Sequence, residues 1–265
     1  MTITRREAIR TAVATGAIAT MGSAGRTMSI SAEAPFRVLS ILVRKNGMSA
    51  EEFRLQWLGV HGQIARNLPG IRGLIFSEAF GGGAGGAPAS SFPMAIDGFA
   101  QMWFATREAF VAATASDQGK KWIADGDRLI ARQASRSFAL GMRVVIEPPR
   151  LEGLIKRTIL IVRKQGMTKP QFLKYWLSRH AELASGVPGL IGAVFNPVQA
   201  MPGSPANEPE FDGITETWWE TSPDDLGGKP RSAAADAWMA DADNCIDLER
   251  SRTVPSLEHV LIAPE

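Results

Sequence analysis

The chain has 265 residues, of which 45% are apolar and 21% charged, and it holds one cysteine and three histidines. This composition excludes a disordered chain, an intramolecular disulfide and a cysteine-rich metal centre, and we expect no bound metal and no cofactor. The formal net charge of +2 lacks the basic surplus of nucleic-acid-binding domains, so no nucleic-acid partner is expected.

The first 34 residues resemble a twin-arginine export signal. Arg5-Arg6-Glu7-Ala8-Ile9 precedes a weakly apolar run at 11–22, which is too short to span a bilayer. Ala8 departs from the pattern, which usually has a bulky apolar residue there. We therefore expect the export machinery to deliver a folded protein to the periplasm or the medium, with no membrane contact after signal removal. The alternative is a disordered basic tail. Without residues 1–34, the 29 basic and 27 acidic residues become 25 of each.

The remaining chain contains one sequence pattern twice. Val43–Ser49 recurs as Val162–Thr168, at an offset of 119 residues. Residues matched at the same offset are Phe53 with Phe172, Trp57 with Trp176, and His61 with His180. Later residues match at offsets of 115 or 116: Asp97 with Asp212, Trp103 with Trp218, Trp122 with Trp238, and Asp125 and Asp127 with Asp241 and Asp243. Such a long period predicts a duplicated domain, with repeat one at 35–150 and repeat two at 151–265.

The sequences of the two repeats predict the same order of strands and helices. Apolar runs, capping residues and turn residues predict strands at 37–44 and 158–163, helices to about Arg66 and Ser185, strands at 71–80 and 190–199, strands at 98–105 and 213–220, helical stretches at 107–132 and 223–249, and strands at 138–146 and 255–262. The insertions at 81–86 and 201–210 join the second and third strands, and we interpret them as loops over a cavity.

This order is the ferredoxin-like plan, in which helices cover one face of the sheet. The other face needs a partner, which the second repeat supplies. The sequence therefore predicts an α+β protein whose two tandem ferredoxin-like repeats form one barrel-like pseudo-dimer. We expect an enclosed binding cavity between the two sheets. A further homo-oligomer is left open.

Several motifs occur in both repeats: a basic pair after the first strand, Gly-Met-Ser/Thr, Phe-x3-Trp-x3-His on the first helix, and Pro-Gly after it. As a set they resemble the EthD family of dimeric α+β barrel proteins, over 38–146 and 158–262. The resemblance implies that the family's usual homodimer is here an internal pseudo-dimer. It also implies a small-molecule site in the barrel, without fixing a reaction.

His61 and His180 are the predicted catalytic residues. Each follows a tryptophan by four positions and shares a helix face with it. An imidazole with a pKa near 6.5 is suited to acid–base catalysis at neutral pH. The alternative is a structural histidine that bonds a backbone carbonyl, and neither repeat is preferred.

Other residues would support this chemistry. Asp97 and Asp212 open the third strands, where each would orient an imidazole or carry a proton; a simple Asp-Gly turn is the alternative. Arg44 and Arg163 would hold an anionic oxygen, or else lie at solvated strand ends. The repeated Asp-x-Asp pair at 125–127 is more typical of a solvated helix end than of a metal site.

The aromatic residues and the third histidine complete the candidate set. The tryptophans predicted either to line an apolar substrate site or to fill the core are Trp57, Trp176, Trp103 and Trp218. His259 shares a strand face with Leu257 and Leu261. If that face lines the barrel, His259 would bind a ligand or haem, and otherwise it is a partly exposed sheet residue.

These observations favour a cofactor-independent acid–base enzyme. It would isomerise, cyclise or eliminate from a small apolar or aromatic carbonyl compound. A second hypothesis is a periplasmic binding or accessory protein without turnover. A third is a haem- or oxygen-using oxidoreductase of the dimeric barrel type.

Overall fold

The structure is a computed structural model and describes residues 35–79, 96–149, 154–202, 209–220 and 232–264. The predicted export signal and the insertion at 81–86 lie outside the described residues, as does most of the insertion at 201–210. Within the described ranges, no helix is long and apolar enough to cross a membrane.

Repeat one has the predicted order of elements. They are β1 (Phe36–Leu42), α1 (Ala50–Leu55), a π-helical segment (Gln56–His61), α2 (Gly62–Arg66), β2 (Ile71–Ala79), β3 (Gly98–Phe104), α3 (Arg107–Ala115), α4 (Asp117–Leu129), β4 (Arg136–Leu140) and β5 (Arg143–Ile146). The predicted last strand is divided in two between β4 and β5, and the second helical stretch is divided at Ser116, which caps α4.

Repeat two has the same plan. Its elements are β6 (Ile155–Ile161), α5 (Lys169–Tyr175), a π-helical segment (Trp176–His180), α6 (Ala181–Ala184), β7 (Leu190–Gln199), β8 (Gly213–Trp219), α7 (Ala233–Ala242) and β9 (Arg252–Ile262). The first helix begins at a capping box in which Thr168 and Gln171 exchange hydrogen bonds, so the local sequence fixes where this helix starts.

The strands form one closed barrel across both repeats. Their order is β4-β1-β3-β2-β9-β6-β8-β7, and a pairing of β4 with β7 closes the ring of eight strands. The last strand of each repeat pairs with the second strand of the other: β9 with β2, and β5 with β7. The two repeats are therefore joined as the halves of a dimeric barrel would be, within one chain.

The first helix of each repeat packs on the outer face of the barrel through a tryptophan. The ring of Trp57 stacks on Phe76, with centroids 4.6 Å apart. Strand β3 comes so close that a Cβ on Gly98 would lie 2.6 Å from Cη2 of Trp57, and Gly213 meets Trp176 in the same way at 2.5 Å. These glycines are repeated because a larger residue would push the helix off the sheet.

Side chains occupy the inside of the barrel. One set is apolar and includes Leu39, Phe99 and Phe211 from both halves of the chain. Another is polar and buried, and includes Arg37, Lys156 and Glu216. Both sets come from the two repeats together, so each half of the chain contributes side chains to the barrel interior. The enclosed cavity expected between the two sheets stays a prediction.

Candidate functional site

A cavity of about 170 Å³ lies in repeat one between the outer face of the sheet and helices α2 and α4. Its wall contains aromatic and aliphatic side chains together with one histidine, three serines and one arginine. The lining residues are Ser40, Leu42, His61, Ala65, Leu74, Phe76, Ala100, Met102, Trp122, Ile123, Gly126, Ile130, Arg132, Ser135 and Ser137. We call this space the His61 cavity.

The helix that carries each predicted catalytic histidine widens into π-helical geometry. The segments Gln56–His61 and Trp176–His180 interrupt what the sequence predicts as a regular α-helix, and each ends at the histidine. Short π-helical segments inside α-helices are rare and occur frequently at functional sites. The same distortion occurs in both repeats. In each repeat the imidazole lies against the second helical region, which is α4 in repeat one and α7 in repeat two.

The imidazole of His61 is hydrogen-bonded to Asp125 of α4. Its Nδ1 lies 2.9 Å from Oδ2 of Asp125, and both side chains are buried. Arg128 donates to the other oxygen of Asp125. An ionised carboxylate accepts hydrogen bonds, so Nδ1 carries the ring proton and Nε2 keeps its lone pair. No hydrogen bond to Nε2 from another residue is present within the described ranges.

Electrostatics favour the neutral imidazole. Burial lowers the pKa of His61 below its ordinary value, although the hydrogen bond to Asp125 opposes the shift. For Asp125, burial acts to raise the pKa, but hydrogen bonds from Arg128 and His61 outweigh burial and hold the pKa below its ordinary value. At neutral pH the pair is thus a neutral imidazole oriented by a carboxylate, which is the form that a general base requires.

Repeat two contains the same pair with a different support. Nδ1 of His180 lies 3.0 Å from Oδ2 of Asp241, and burial lowers the pKa of His180. The hydroxyl of Tyr175 donates to Oδ1 of Asp241 at 2.7 Å, where repeat one uses an arginine. Each imidazole also stacks on a tryptophan of the second helical region, Trp122 or Trp238, with centroids 5.7 Å apart.

The cavity wall differs between the repeats. The polar residues Ser40 and Arg132 of the His61 cavity correspond to Ile159 and Leu248 in repeat two. Gly126, whose added Cβ would lie 3.3 Å from Cε1 of His61, corresponds to Ala242. At two other positions repeat one has the larger apolar residue: Leu74 corresponds to Ala193, and Met102 corresponds to Thr217. The surroundings of His61 and His180 therefore differ in shape and polarity, although the dyads match.

The predicted pairs of arginine and aspartate are brought together, but away from the histidines. Arg44 bonds the Asp97 carboxylate with its guanidinium and its backbone amide. Arg163 and Asp212 make the same two contacts. Each arginine also donates to the carbonyl of the turn that follows, at Met48 in repeat one. These pairs connect the end of the first strand to the start of the third, and no hydrogen bond joins Asp97 to His61 within the described residues.

The four predicted tryptophans lie outside the wall of the His61 cavity. Trp57 and Trp176 are fully buried in the stacks between helix and sheet. Trp103 and Trp218 face the barrel interior, where their rings cover the charged groups of Arg37 and Lys156 at 5.1 and 5.5 Å. The structure therefore places Trp57 and Trp176 in packing positions, and Trp103 and Trp218 beside buried charged groups inside the barrel.

His259 lies on the outer face of the barrel, where its neighbour Leu261 packs against the helices of repeat one. Its Nε2 is 3.2 Å from Oε2 of Glu78, and the histidine side chain is 28% exposed. The condition attached to a ligand role, that this strand face lines the barrel, is not met. The opposite face of β9 points inward, through Glu258.

The sequence reasoning missed Asp125 and Asp241. Both were interpreted as part of solvated helix ends, and the structure shows that interpretation to be wrong, because each is buried against a histidine. The second acid of each pair behaves as expected: Asp127 is half exposed and pairs with Arg132. The available signal was the match of Trp122-x-x-Asp125 with Trp238-x-x-Asp241.

The buried histidines make stability depend on pH. Because burial lowers the pKa values of His61 and His180, the unfolded chain binds their protons at a higher pH than the folded protein does. Stability contributed by the neutral imidazoles is present above the unfolded pKa of about 6.5 and is lost as the pH falls below it. Urea titrations should show a falling free energy of unfolding, by at most about 1.4 kcal/mol per pH unit for each histidine. The double variant His61→Gln/His180→Gln should have a shallower slope, and an unchanged slope would contradict the assignment.

Comparison with known proteins supports the fold. The family model described as the EthD domain matches residues 45–133 and 164–249. An anthrone oxidase-like protein superposes with a TM-score of 0.57 at 10% identity, over 86% of this chain and 94% of its own. A protein from Lactobacillus acidophilus NCFM assigned as a monooxygenase gives 0.52 at 9% identity, over 88% and 98%. At these identities the similarity shows the fold alone, a dimeric α+β barrel. No curated protein sequence matches the chain.

Proposed function

Because the EthD domain model matches both halves of the sequence, this chain belongs to the EthD family, and from that premise we propose that repeat one removes a proton from a small ring compound bound beside His61. The observation that carries the proposal is the His61–Asp125 pair in the wall of the His61 cavity. A buried imidazole with Nδ1 fixed by a carboxylate and Nε2 unbonded is arranged as a general base. The fused barrel holds in place the sheet and the helices α2 and α4, which form the two sides of the His61 cavity.

The size and lining of the cavity indicate the class of ligand. An apolar protein cavity of about 150 Å³ accommodates a single benzene ring, so a space of about 170 Å³ suits one ring with small substituents. Phe76, Met102 and Trp122 supply apolar contacts for that ring. Ser40 and Ser137, whose hydroxyl oxygens lie 2.8 Å apart, form a polar part of the wall together with Arg132. The fit is to a monocyclic compound with a carbonyl or phenolic oxygen.

The chemical step follows from these groups. Nε2 of His61 takes a proton from the carbon next to the carbonyl, so that a C–H bond breaks and an N–H bond forms. The electron pair moves to the oxygen, and the resulting enolate is stabilised by hydroxyl or guanidinium donors of the wall. Asp125 stabilises the imidazolium that this transfer creates. Return of the proton to a different carbon completes an isomerisation.

The test is proton exchange with the solvent. The protein is incubated in D₂O with a panel of cyclic enones and phenols, binding is measured by saturation-transfer NMR, and deuterium uptake is measured by mass spectrometry. We expect at least one bound compound to exchange faster with protein than without it. Binding without faster exchange would instead support the binding-protein hypothesis. Oxygen uptake is recorded in parallel, because two fold relatives bear the names of oxidising enzymes and oxidation of such rings also begins with deprotonation.

We propose further that the protein acts after export, which the Arg5-Arg6 motif supports. The variant Arg5→Lys/Arg6→Lys should remain in the cytoplasm of the native host, because export through the twin-arginine route depends on the arginine pair. Immunoblots of cell fractions measure the distribution, and Arg10→Lys serves as a control that keeps the pair. Equal periplasmic amounts of the paired-lysine variant and the wild type would contradict the proposal.

A further inference from the structure

The inside of the barrel holds a cluster of four buried charges at the boundary between the repeats. We call Arg37, Lys156, Glu216 and Glu258 the interior charge cluster, and each side chain is less than 10% exposed. Strand alternation places them there: Arg37 opposes Trp103, Lys156 opposes Trp218, and both tryptophans face inward.

Glu216 of β8 is the centre of the interior charge cluster. Its Oε1 lies 2.8 Å from Nζ of Lys156, and its Oε2 lies 3.6 Å from the guanidinium of Arg37. Gln101 of repeat one donates to Oε2 at 3.0 Å and accepts from Lys156 at 3.2 Å. Glu258 lies 2.9 Å from Lys156 on its other side. The cluster is thus built from both repeats, and its contacts cross the boundary between them.

The two repeats contribute unequal charges. Repeat one supplies Arg37, so its share is +1. Repeat two supplies Lys156, Glu216 and Glu258, so its share is −1, and the cluster is neutral only when both repeats are present. The positions are related by the duplication: Arg37 corresponds to Lys156, Gln101 to Glu216, and Met142 to Glu258. The cations are therefore shared, whereas the carboxylates are found in repeat two.

This asymmetry distinguishes the pairings that the duplication allows. A barrel of two copies of repeat one would bury two arginines with no carboxylate from the cluster. A barrel of two copies of repeat two would bury two lysines with four carboxylates. Uncompensated charges in a protein interior are strongly unfavourable, so each of these like pairings is penalised. Repeat one with repeat two is the pairing in which the charges cancel.

We propose that the interior charge cluster selects the partner of each repeat, so that the inner sheet face of repeat one accepts repeat two and rejects a second repeat one. The partner that this face fits is the sheet of repeat two in the same chain, which carries one surplus negative charge. Specificity of this kind depends on penalising the wrong partners as well as stabilising the right one. Pairing of unlike repeats also gives each barrel one His61 site and one His180 site, so the residues around the two histidines can differ.

The test uses an exchange that leaves the total charge unchanged. In Gln101→Glu/Glu216→Gln the intact barrel keeps two cations and two carboxylates, but each repeat becomes neutral by itself. A protease site is inserted at 150–153 in the wild type and in this variant. The folded chains are cleaved, unfolded in urea, refolded and weighed by native mass spectrometry.

Wild-type halves should refold almost entirely as pairs of repeat one with repeat two. Halves of the exchange variant should also form the two like pairs, approaching the statistical mixture of the three pairings. Statistical pairing of wild-type halves, or exclusive unlike pairing in the exchange variant, would overturn the proposal. In the second case, another part of the interface would be the selector.

The balance of charges in the interior charge cluster can also be tested in the uncut chain, through its stability in urea. The single changes Gln101→Glu and Glu216→Gln each unbalance the interior and should lower the urea midpoint. The double change restores the balance and should bring the midpoint back toward the wild type. If the two single effects simply add in the double variant, the charges do not act together and the proposal fails.

Discussion

Replacing His61 by glutamine should slow the protein-dependent deuterium exchange of a bound cyclic enone by about 10²- to 10⁴-fold, the usual contribution of a general base. Glutamine keeps an amide that donates to Asp125, but it has no basic nitrogen to accept the substrate proton. Binding should persist, because Phe76 and Trp122 still line the His61 cavity. Mass spectrometry gives the exchange rate, and saturation-transfer NMR gives the binding.

His180→Gln is the matched control for this prediction. It removes an imidazole that is equally buried and equally paired with an aspartate, so its effect on folding should be similar. Its effect on exchange should be small if repeat one carries the reaction. Equal losses of exchange in the two variants would contradict the assignment to repeat one. Thermal unfolding of both variants separates lost catalysis from lost structure.

Replacing Lys156 by methionine should lower the free energy of unfolding by about 3–5 kcal/mol, the usual result of removing one partner from a buried ion pair. Lys156 is fully buried between Glu216 and Glu258. Burial alone would lower the pKa of Lys156, but these two carboxylates outweigh burial and raise it, so the lysine is charged in the folded protein. Without this lysine, two buried carboxylates face a single arginine. Urea unfolding at pH 7 measures the loss.

Two further variants show whether charge is the cause. Lys120→Met removes an exposed lysine whose ion pair with Asp117 is also exposed, and it should change stability little. Lys156→Met/Glu216→Gln removes one charge of each sign and should recover part of the stability lost by Lys156→Met alone. A loss in Lys156→Met as small as that in Lys120→Met would show that the interior tolerates an unbalanced carboxylate.

The architecture could be predicted from the sequence because the duplication is explicit in it. Val43–Ser49 and Val162–Thr168 match almost residue by residue, and each is followed by a capping residue and the Phe-x3-Trp-x3-His pattern. Period-2 apolar runs then predict the strands, and a tandem ferredoxin-like plan has few ways to bury its open sheet faces. Both histidines lie on the predicted helix and in the predicted order.

The partner of each histidine could not be assigned in the same way. Asp125 and Asp127 lie two positions apart on a helix, about 200° around its axis, so they point in nearly opposite directions. The sequence does not say which side of α4 faces the first helix. The structure buries Asp125 against His61 and leaves Asp127 half exposed.

The buried position of the interior charge cluster could not be predicted for a related reason. Strand β3, Gly98–Phe104, is buried along its whole length, so its sequence does not distinguish the inner from the outer face. A polar residue such as Gln101 in this run gave no sign that it belongs to a charge cluster completed by repeat two. The π-helical segments were also missed, because side chains four residues apart share a face in a regular helix and give no evidence of a wider turn.

The most direct test of the central claim, that His61 is a neutral base with Nε2 open to the ligand, is ¹⁵N NMR of the imidazole in the protein at pH 7. Labelled histidine and the His61→Gln and His180→Gln variants assign the signals. We expect a proton on Nδ1 of His61, an unprotonated Nε2, and a shift of the Nε2 signal on saturation with a ring compound that binds. A doubly protonated ring, a proton on Nε2, or an unchanged Nε2 signal with ligand bound would contradict it.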